Sequence, residues 1–422
     1  MASIQPVRGT RDFYPEDMAF RIWLYEKIRL VSEKYGYQEY DGPFLERLDL
    51  YAAKSGEELV KEQSYVFPDR GGAMIALRPE LTPSLARMVA ARGKGLTRPL
   101  RWWSFGPFWR YERTQKGRSR EFFQWNIDLL GVDSPEADAE IVLIAVDFFR
   151  SVGLKANQVG ILVNNRQLVE RQLGDLDIRD DLLPVTFRLI DRYDRMSKEK
   201  WEAYAEDIGL DSSQVEGILV ILQNDDAWKE SDSLIAFFKA VELMGGSEFV
   251  RFDPKVIRGL DYYTGTVYEA VDLSGNFRSI FGGGRYDDLV SLVGGEPLPA
   301  TGFAMGDMVF SLVLDGYGLL PTIQTNRADV FVPIFNEELM PDSLLIASEL
   351  RKEGFRTEWY PEPTKLQRQF KYADRQNIPL AVIIGPDEME NDLVTVKDLR
   401  DGTQESIARS ALVKFLRQKL QA

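Results

Sequence analysis

Residues 100–130 read LRWWSFGPFWRYERTQKGRSREFFQWNIDLL, and the architecture follows from this stretch. Two aromatic runs flank the segment RTQKGRSR at 113–120, which carries Arg113, Lys116, Arg118 and Arg120 and no acid. Aromatic runs suit a pleated, half-buried surface, whereas a basic segment containing glycine suits a loop. The reading is therefore a strand, a basic loop and a second strand, paired as a hairpin.

Upstream of the hairpin, Phe20, Leu24, Ile28, Val31 and Tyr35 recur at helical spacing between Pro15 and Gly36, which predicts an amphipathic helix over 17–35. Downstream, 135–150 reads as a helix and Asn157 to Asn165 as a strand. A charged, mostly helical stretch at about 170–245 carries none of the motifs discussed below and reads as an insertion. VIRGLDYYTGTVYEAVDL at 256–273 then gives dense strand signals, FGGGRYDDLV at 281–290 reads as turn-rich, and PATGFAMGDMVFSLVL at 299–314 passes into a helix. Strands and helices that do not strictly alternate favour an α+β core with an antiparallel sheet flanked by helices. GLLPTIQTNR at 318–327 marks a boundary, beyond which strand and helix signals alternate as a small α/β domain. A chain of 422 residues, 44% of them hydrophobic, has room for two or three such domains.

Composition narrows the chemistry. The chain has no cysteine and no histidine, which excludes disulfides, thiolate nucleophiles, imidazole metal ligands and Ser-His triads. Chemistry must rest on carboxylates, Arg, Lys, Tyr and Mg²⁺, whose preference for hard oxygen suits phosphates. MASIQPVRGTRDF at the N-terminus lacks an apolar h-region, and the longest apolar stretch, around Ile141 to Phe149, is too short and too acidic for a bilayer; a cytoplasmic protein without a membrane partner is expected. A net charge of −14 argues against sequence-independent nucleic-acid binding but leaves room for local basic surfaces. The 113–120 loop is one. Lys365, Arg368, Lys371 and Arg375, spaced to share one face of a helix, form another, although such stripes are more often plain solvated faces.

Gly282, Gly283 and Gly284 followed by Arg285 invite a phosphate-loop reading, but neither the G-x-x-x-x-G-K-[ST] nor the G-x-G-x-x-G pattern is present, and glycine runs usually mark turns. More telling is RYER, Arg110 to Arg113, at a strand end together with RGLDYY, Arg258 to Tyr263, at the start of another strand. Planar, always-charged guanidiniums held on rigid strands suit a phosphoryl group. The plain alternative is pairing with Glu112 or Asp261.

GTRDFYPE at 9–16, LRPELTPSLAR at 77–87, FWRYERTQKGRSREFFQ at 108–124, VIRGLDYYTGTVYE at 256–269 and FGGGRYDDLV at 281–290 resemble the histidyl-tRNA synthetases, in that order. QRQFKYADR at 367–375 and TVKDL at 395–399 resemble the same family's C-terminal domain. The resemblance implies a class II catalytic domain over 1–325 with its helical insertion, an anticodon-binding domain over 327–422, and a homodimer formed partly around Pro43. It also implies activation of histidine by ATP with Mg²⁺, transfer to the 3′ end of tRNA(His), and no protein-ligated metal.

By position, the resemblance assigns Glu80, Leu81, Thr82 and Gln124 to the histidine α-amino group, and Asp128, Tyr262 and Tyr263 to the imidazole. Arg110 and Arg258 become the catalytic residues, in contact with histidine and ATP, and Glu112 and Arg118 complete the ATP set. Arg113, Lys116, Arg118, Arg120, Lys365, Arg368 and Lys371 are expected to face tRNA. Adenylation needs little acid/base chemistry from the protein, since a carboxylate attacks the α-phosphate in line and preorganised positive charge dominates.

This chain departs from the family's pattern at three places. Asp128 stands where many bacterial members carry Glu, and Phe123 precedes Gln124 where many carry His. GFAMGDMVF puts Asp307 and Val309 where G-x-E-R, with an arginine for the γ-phosphate, is usual. Two relatives of different function share part of the pattern: the regulatory paralogue of ATP phosphoribosyltransferase and an uncharged-tRNA sensor module. The first usually lacks the C-terminal domain and the arginine of RGLDYY, and the second is attached to a kinase; this chain has both former features and no kinase segment.

Overall fold

The computed structural model describes residues 4–52, 63–258, 262–323 and 325–421. The chain divides into two compact units, Met1–Asp12 with Arg21–Pro321, and Phe13–Phe20 with Thr322–Ala422.

In the first unit the hairpin forms as read. Strands Leu100–Trp109 and Glu121–Leu130 pair antiparallel in unbroken register from Leu100 opposite Leu130 to Trp109 opposite Glu121. An eight-stranded sheet extends from it in the order Gln38–Glu39, Leu100–Trp109, Glu121–Leu130, Ala300–Gly306, Phe281–Arg285, Thr266–Asp272, Val159–Asn165, Val250–Phe252. The interior pairs are antiparallel, and each edge strand pairs parallel to its neighbour. A parallel pair needs a long crossover, and at the second edge the helical insertion between Asn165 and Val250 supplies it.

Trp125 to Leu130 are all buried because both faces of this central strand are covered. On one face Trp125 packs against Phe148 of helix Pro135–Ser151, with ring centroids 5.0 Å apart. On the other, Leu130 joins Leu85 of helix Thr82–Arg92 and Leu289. Ser134 caps helix Pro135–Ser151 by accepting from the Ala137 amide.

FGGGRYDDLV corrects the turn reading: Phe281–Arg285 is an interior strand. Its glycines leave room that neighbouring side chains occupy. A Cβ at Gly282 would run into the Arg258 guanidinium, and one at Gly302, on the adjoining strand, would run into the Asp128 carboxylate.

The insertion has its own core, in which Val169, Leu173, Phe187, Trp201 and Ile218 pack together with Ile257, the residue just before Arg258. Helix Asp232–Leu243 instead lies along helix Pro135–Ser151.

The second unit is a five-stranded sheet in the order Thr357–Trp359, Val330–Val332, Leu380–Ile383, Leu393–Asp398, Gln404–Ala408. Its first three strands are parallel and the last two antiparallel. Val332, Ile346, Leu350, Leu380, Val394 and Leu416 form its core. No helix among the described residues is long and apolar enough to cross a membrane.

Candidate active site

A cavity of about 1040 Å³ lies over the middle of the larger sheet and takes Gln124, Ala304, Gly282 and Glu269 from four adjacent strands. Of the expected site residues, Arg110, Glu112, Arg118, Gln124 and Arg258 line it. Arg110 sits just past the first hairpin strand, where its amide donates to the Arg120 carbonyl at 2.9 Å. Its Nε donates to the Pro79 carbonyl at 2.9 Å, and the guanidinium lies 5.4 Å from the Phe122 ring centroid. Burial pulls the Arg110 pKa down, Glu80 and Tyr262 oppose the fall, and the nearby Arg258 charge adds to it.

Arg258 has a backbone φ of 60°, a left-handed conformation that a side chain of this size rarely adopts. Its Nη1 lies 3.1 Å from Glu269 Oε1. Burial works against the charge on Arg258 and is the largest single influence, but Glu269, Tyr263, Asp191 and Tyr262 together outweigh it and the net shift is upward. Of the two carboxylates weighed from the sequence, Glu112 instead holds Arg118 in a close ion pair, and Asp261 lies outside the described residues. Two buried polar atoms at the cavity, Arg258 Nε and Gln124 Oε1, have no hydrogen-bond partner among the described residues.

Glu80, Leu81, Thr82, Asp128, Tyr262 and Tyr263 do not line this cavity but form a connected group beside it. Tyr262 donates to Glu80 Oε2 at 3.2 Å and is also hydrogen-bonded by Thr82. Its ring lies 5.0 Å from Tyr263 and 5.9 Å from Tyr286. Tyr286 in turn donates to Asp128 Oδ1 at 2.6 Å. Burial holds Tyr262 well above its usual pKa, reinforced by Glu80, so it remains a donor at neutral pH. Leu81, fully buried, is a wall residue that brings no polar group.

The basic loop divides. Arg113 and Lys116 are exposed, Arg118 turns inward onto Glu112, and Arg120 stacks 4.0 Å over the Tyr111 ring while its Nε donates to the Glu112 carbonyl. In the second unit, helix Leu366–Arg375 buries Gln369 and Ala373 and exposes Arg368, Lys371 and Arg375, with Lys365 at the N-cap position.

The altered segment at 306–309 has a structural explanation. Asp307 is nearly buried, its Oδ2 lies 2.8 Å from Arg11 Nη2, and its Oδ1 accepts from the Phe123 amide at 2.9 Å. It therefore ties the N-terminal strap to the second hairpin strand and the start of helix Asp307–Gly316. Val309 presents an apolar side chain to the cavity, whose cationic lining comes from Arg118, Arg195, Lys255 and Arg278 as well as Arg110 and Arg258. The Phe123 ring lies 4.4 Å beneath the Arg21 guanidinium.

Glu269, Tyr286 and Arg166, which contact the site residues directly, were not singled out from sequence. The motifs held the signal for two of them, since Glu269 ends VIRGLDYYTGTVYE and Tyr286 is in FGGGRYDDLV. Which residue each would meet depends on strand register. No group of three or more His, Cys, Asp or Glu among the described residues is arranged to hold a metal ion.

A family model for histidyl-tRNA synthetase matches residues 9–307, and one for the anticodon-binding domain matches 329–419. The chain is 38% identical over 419 residues to the chloroplastic/mitochondrial histidine–tRNA ligase of Arabidopsis thaliana, covering 97% of this chain and 86% of that protein. It is 37% identical over 420 residues to the histidine–tRNA ligase of Haloarcula marismortui, covering 96% of each. The crystal structure of histidyl-tRNA synthetase from Nostoc sp. PCC 7120 superimposes with a TM-score of 0.81 at 27% identity, covering 99% of this chain and 100% of that one.

Proposed function

The chain belongs to the histidyl-tRNA synthetase family and ligates histidine to tRNA(His) at the expense of ATP; from that premise we propose how its residues divide the work. The histidine carboxylate attacks the α-phosphate of ATP, the bond to pyrophosphate breaks, and a terminal ribose hydroxyl of tRNA(His) then displaces AMP from the adenylate. In the first step Arg110 and Arg258 stabilise negative charge on the α-phosphate, with Arg110 also holding the histidine carboxylate. Glu112 and Arg118 contribute to the ATP site. Glu80, with Leu81, Thr82 and Gln124 around it, receives the α-ammonium. Asp128, Tyr262 and Tyr263 receive the imidazole.

The observation that carries this reading is that Arg110 and Arg258, from sequence positions far apart, line one cavity together with Gln124, while the Glu80–Tyr262 pair lies directly beside Arg110. Of the cavity carboxylates, Glu112, Glu269, Asp191 and Asp194 are each ion-paired, so Mg²⁺ would take its ligands mainly from the ATP phosphates and water. Bound there, it would neutralise the phosphates and the pyrophosphate leaving group.

We further assign the catalytic role to residues 1–325 and anticodon binding to 327–422, with Arg113, Lys116, Arg118 and Arg120 toward the acceptor end of tRNA and Lys365, Arg368 and Lys371 toward the anticodon. The enzyme in this reading works in the cytoplasm as a homodimer with Pro43 near the interface. A non-catalytic regulatory role is disfavoured by the matched anticodon-binding domain and by Arg258. ATP–pyrophosphate exchange with each amino acid in turn tests the proposal: exchange should depend on histidine, and Arg258→Ala should slow it about 10²–10³-fold. Wild-type exchange in that variant removes Arg258 from the mechanism.

A further inference from the structure

Strand Val159–Asn165 passes directly into helix Arg166–Gly174, and the junction holds the backbone of Arg258 and of Tyr263 to Gly265. Four carbonyls of these residues are held. The Arg166 amide donates to Gly265 O at 2.9 Å, and Gln167 Nε2 donates to Thr264 O at 3.2 Å. The Arg166 guanidinium takes the other two, Nη1 donating to Tyr263 O at 3.0 Å and Nη2 to Arg258 O at 3.4 Å. Asn165 fixes the junction by accepting from the Gln167 and Leu168 amides.

The guanidinium is itself held in place. Arg166 is 5% exposed, and its Cζ lies 4.7 Å from the centroid of the Phe187 ring. Phe187 belongs to the insertion core, which also contains Ile257, so one small core supports both the guanidinium and the residue next to Arg258. Arg166 does not line the cavity, so it is not placed to touch substrate there. What it holds is the backbone of Arg258, whose φ of 60° must be imposed by its surroundings. From that backbone the Arg258 side chain runs past Gly282 to Glu269.

We infer that Arg166 is a positioning residue for histidine adenylation: one planar guanidinium, fixed by the helical insertion, holds the carbonyls of Arg258 and Tyr263 and so sets the direction in which the Arg258 side chain enters the active site. The inference rests on the reading of Arg258 as the residue that serves the α-phosphate. Arginine suits the task because its rigid fork can hold two carbonyls at a fixed separation, whereas a lysine ammonium offers rotating donors at a single point. A misplacement on the order of 1 Å at a reacting centre can cost about a hundredfold in rate.

The test is a cycle of four full-length enzymes, wild type, Arg166→Met, Arg258→Ala and the double variant, assayed by ATP–pyrophosphate exchange with thermal melts alongside. Arg166→Met should lower kcat by roughly ten- to a hundredfold while KM for ATP stays within about twofold. The double variant should exchange no more slowly than Arg258→Ala alone, because a residue acting through Arg258 has nothing left to position. Multiplying losses, or wild-type exchange in Arg166→Met, overturns the inference. If Arg166→Met fails to fold, Arg166→Lys carries the same cycle, with a loss of about tenfold and the same non-additivity expected. Undiminished exchange in Arg258→Ala alone defeats the underlying reading, and the inference with it, a failure visible in the single variant before the double is made.

Discussion

The Tyr286 hydroxyl donates to Asp128 Oδ1 at 2.6 Å, joining the end of one sheet strand to the interior of another. Burial pushes the Asp128 carboxyl up to about 7, against the opposing pull of that hydrogen bond. Tyr40, also enclosed, lies close enough to feel the same carboxyl. Near neutral pH this group is balanced between accepting and donating, as is a free imidazole with its pKa of about 6.5.

One consequence is a pH-dependent stability. Asp128 binds its proton more tightly in the folded protein, at about 7, than an unfolded aspartate does at about 3.9. Its contribution is full below about pH 4, declines as the pH rises and is gone above about 7. Asp128→Asn cannot ionise and avoids that decline. The variant should therefore exceed the parent in stability above pH 7, by up to about 4 kcal/mol, with the advantage shrinking toward pH 4. Melting temperatures of both proteins across this range check it, and a constant difference would mean that Asp128 titrates normally.

Truncation of the same residue should reveal its part in selecting histidine. On the proposed assignment of Asp128 to the imidazole, Asp128→Ala leaves an imidazole N–H facing an enclosed site without its acceptor, a cost of about 1–3 kcal/mol. KM for histidine should rise about ten- to a hundredfold while KM for ATP changes little. Unaltered discrimination among amino acids would remove Asp128 from the imidazole pocket.

Gly282→Ala should damage adenylation without removing any charged group. The added Cβ would occupy the space of the Arg258 guanidinium, which must then leave its place beside Glu269. The expected loss in exchange rate is about tenfold or more, with histidine binding less affected. Gly245→Ala is a control for the introduced methyl, since it meets no neighbour within 4 Å, although its φ of 75° adds backbone strain. Equal exchange in Gly282→Ala and wild type would show that Arg258 has room to spare.

The hairpin at 100–130 was legible because aromatic density and the basic loop are local properties of the chain. The glycine run was not, because Gly282–Gly284 lie in a strand for reasons supplied by Arg258, Tyr268 and Tyr263, side chains remote in sequence that fill the space beside them. Loop residues posed a different difficulty. Arg113 and Arg118 look alike in RTQKGRSR, yet one is exposed and the other turns onto Glu112, a distinction made by the path of the loop rather than by residue type. Arg166 carried no signal beyond being one arginine near the start of the insertion. Its importance appears only when four carbonyls from another part of the chain are found around its junction.

The basic stripe of the second unit leads to a prediction about tRNA. Helix Leu366–Arg375 buries Gln369, which bonds the Ile334 amide and carbonyl, and packs Ala373 inward; this fixes which face is turned out. Lys365, Arg368 and Lys371 are exposed on the outer side, so their charges are available to a partner. With an overall charge of −14, a polyanion must find such local surfaces if it binds at all. Each phosphate contact releases condensed counterions, so removing three contacts should flatten the slope of log affinity against log salt by roughly 2 for single-stranded RNA. Lys365→Gln, Arg368→Gln and Lys371→Gln combined should produce that change in tRNA(His) binding while leaving histidine-dependent pyrophosphate exchange intact, because the residues proposed for adenylation lie in the other unit. Binding across a salt series distinguishes the possibilities: a parallel shift indicates altered shape rather than lost phosphate contacts, and an unchanged curve marks the stripe as an ordinary solvated face.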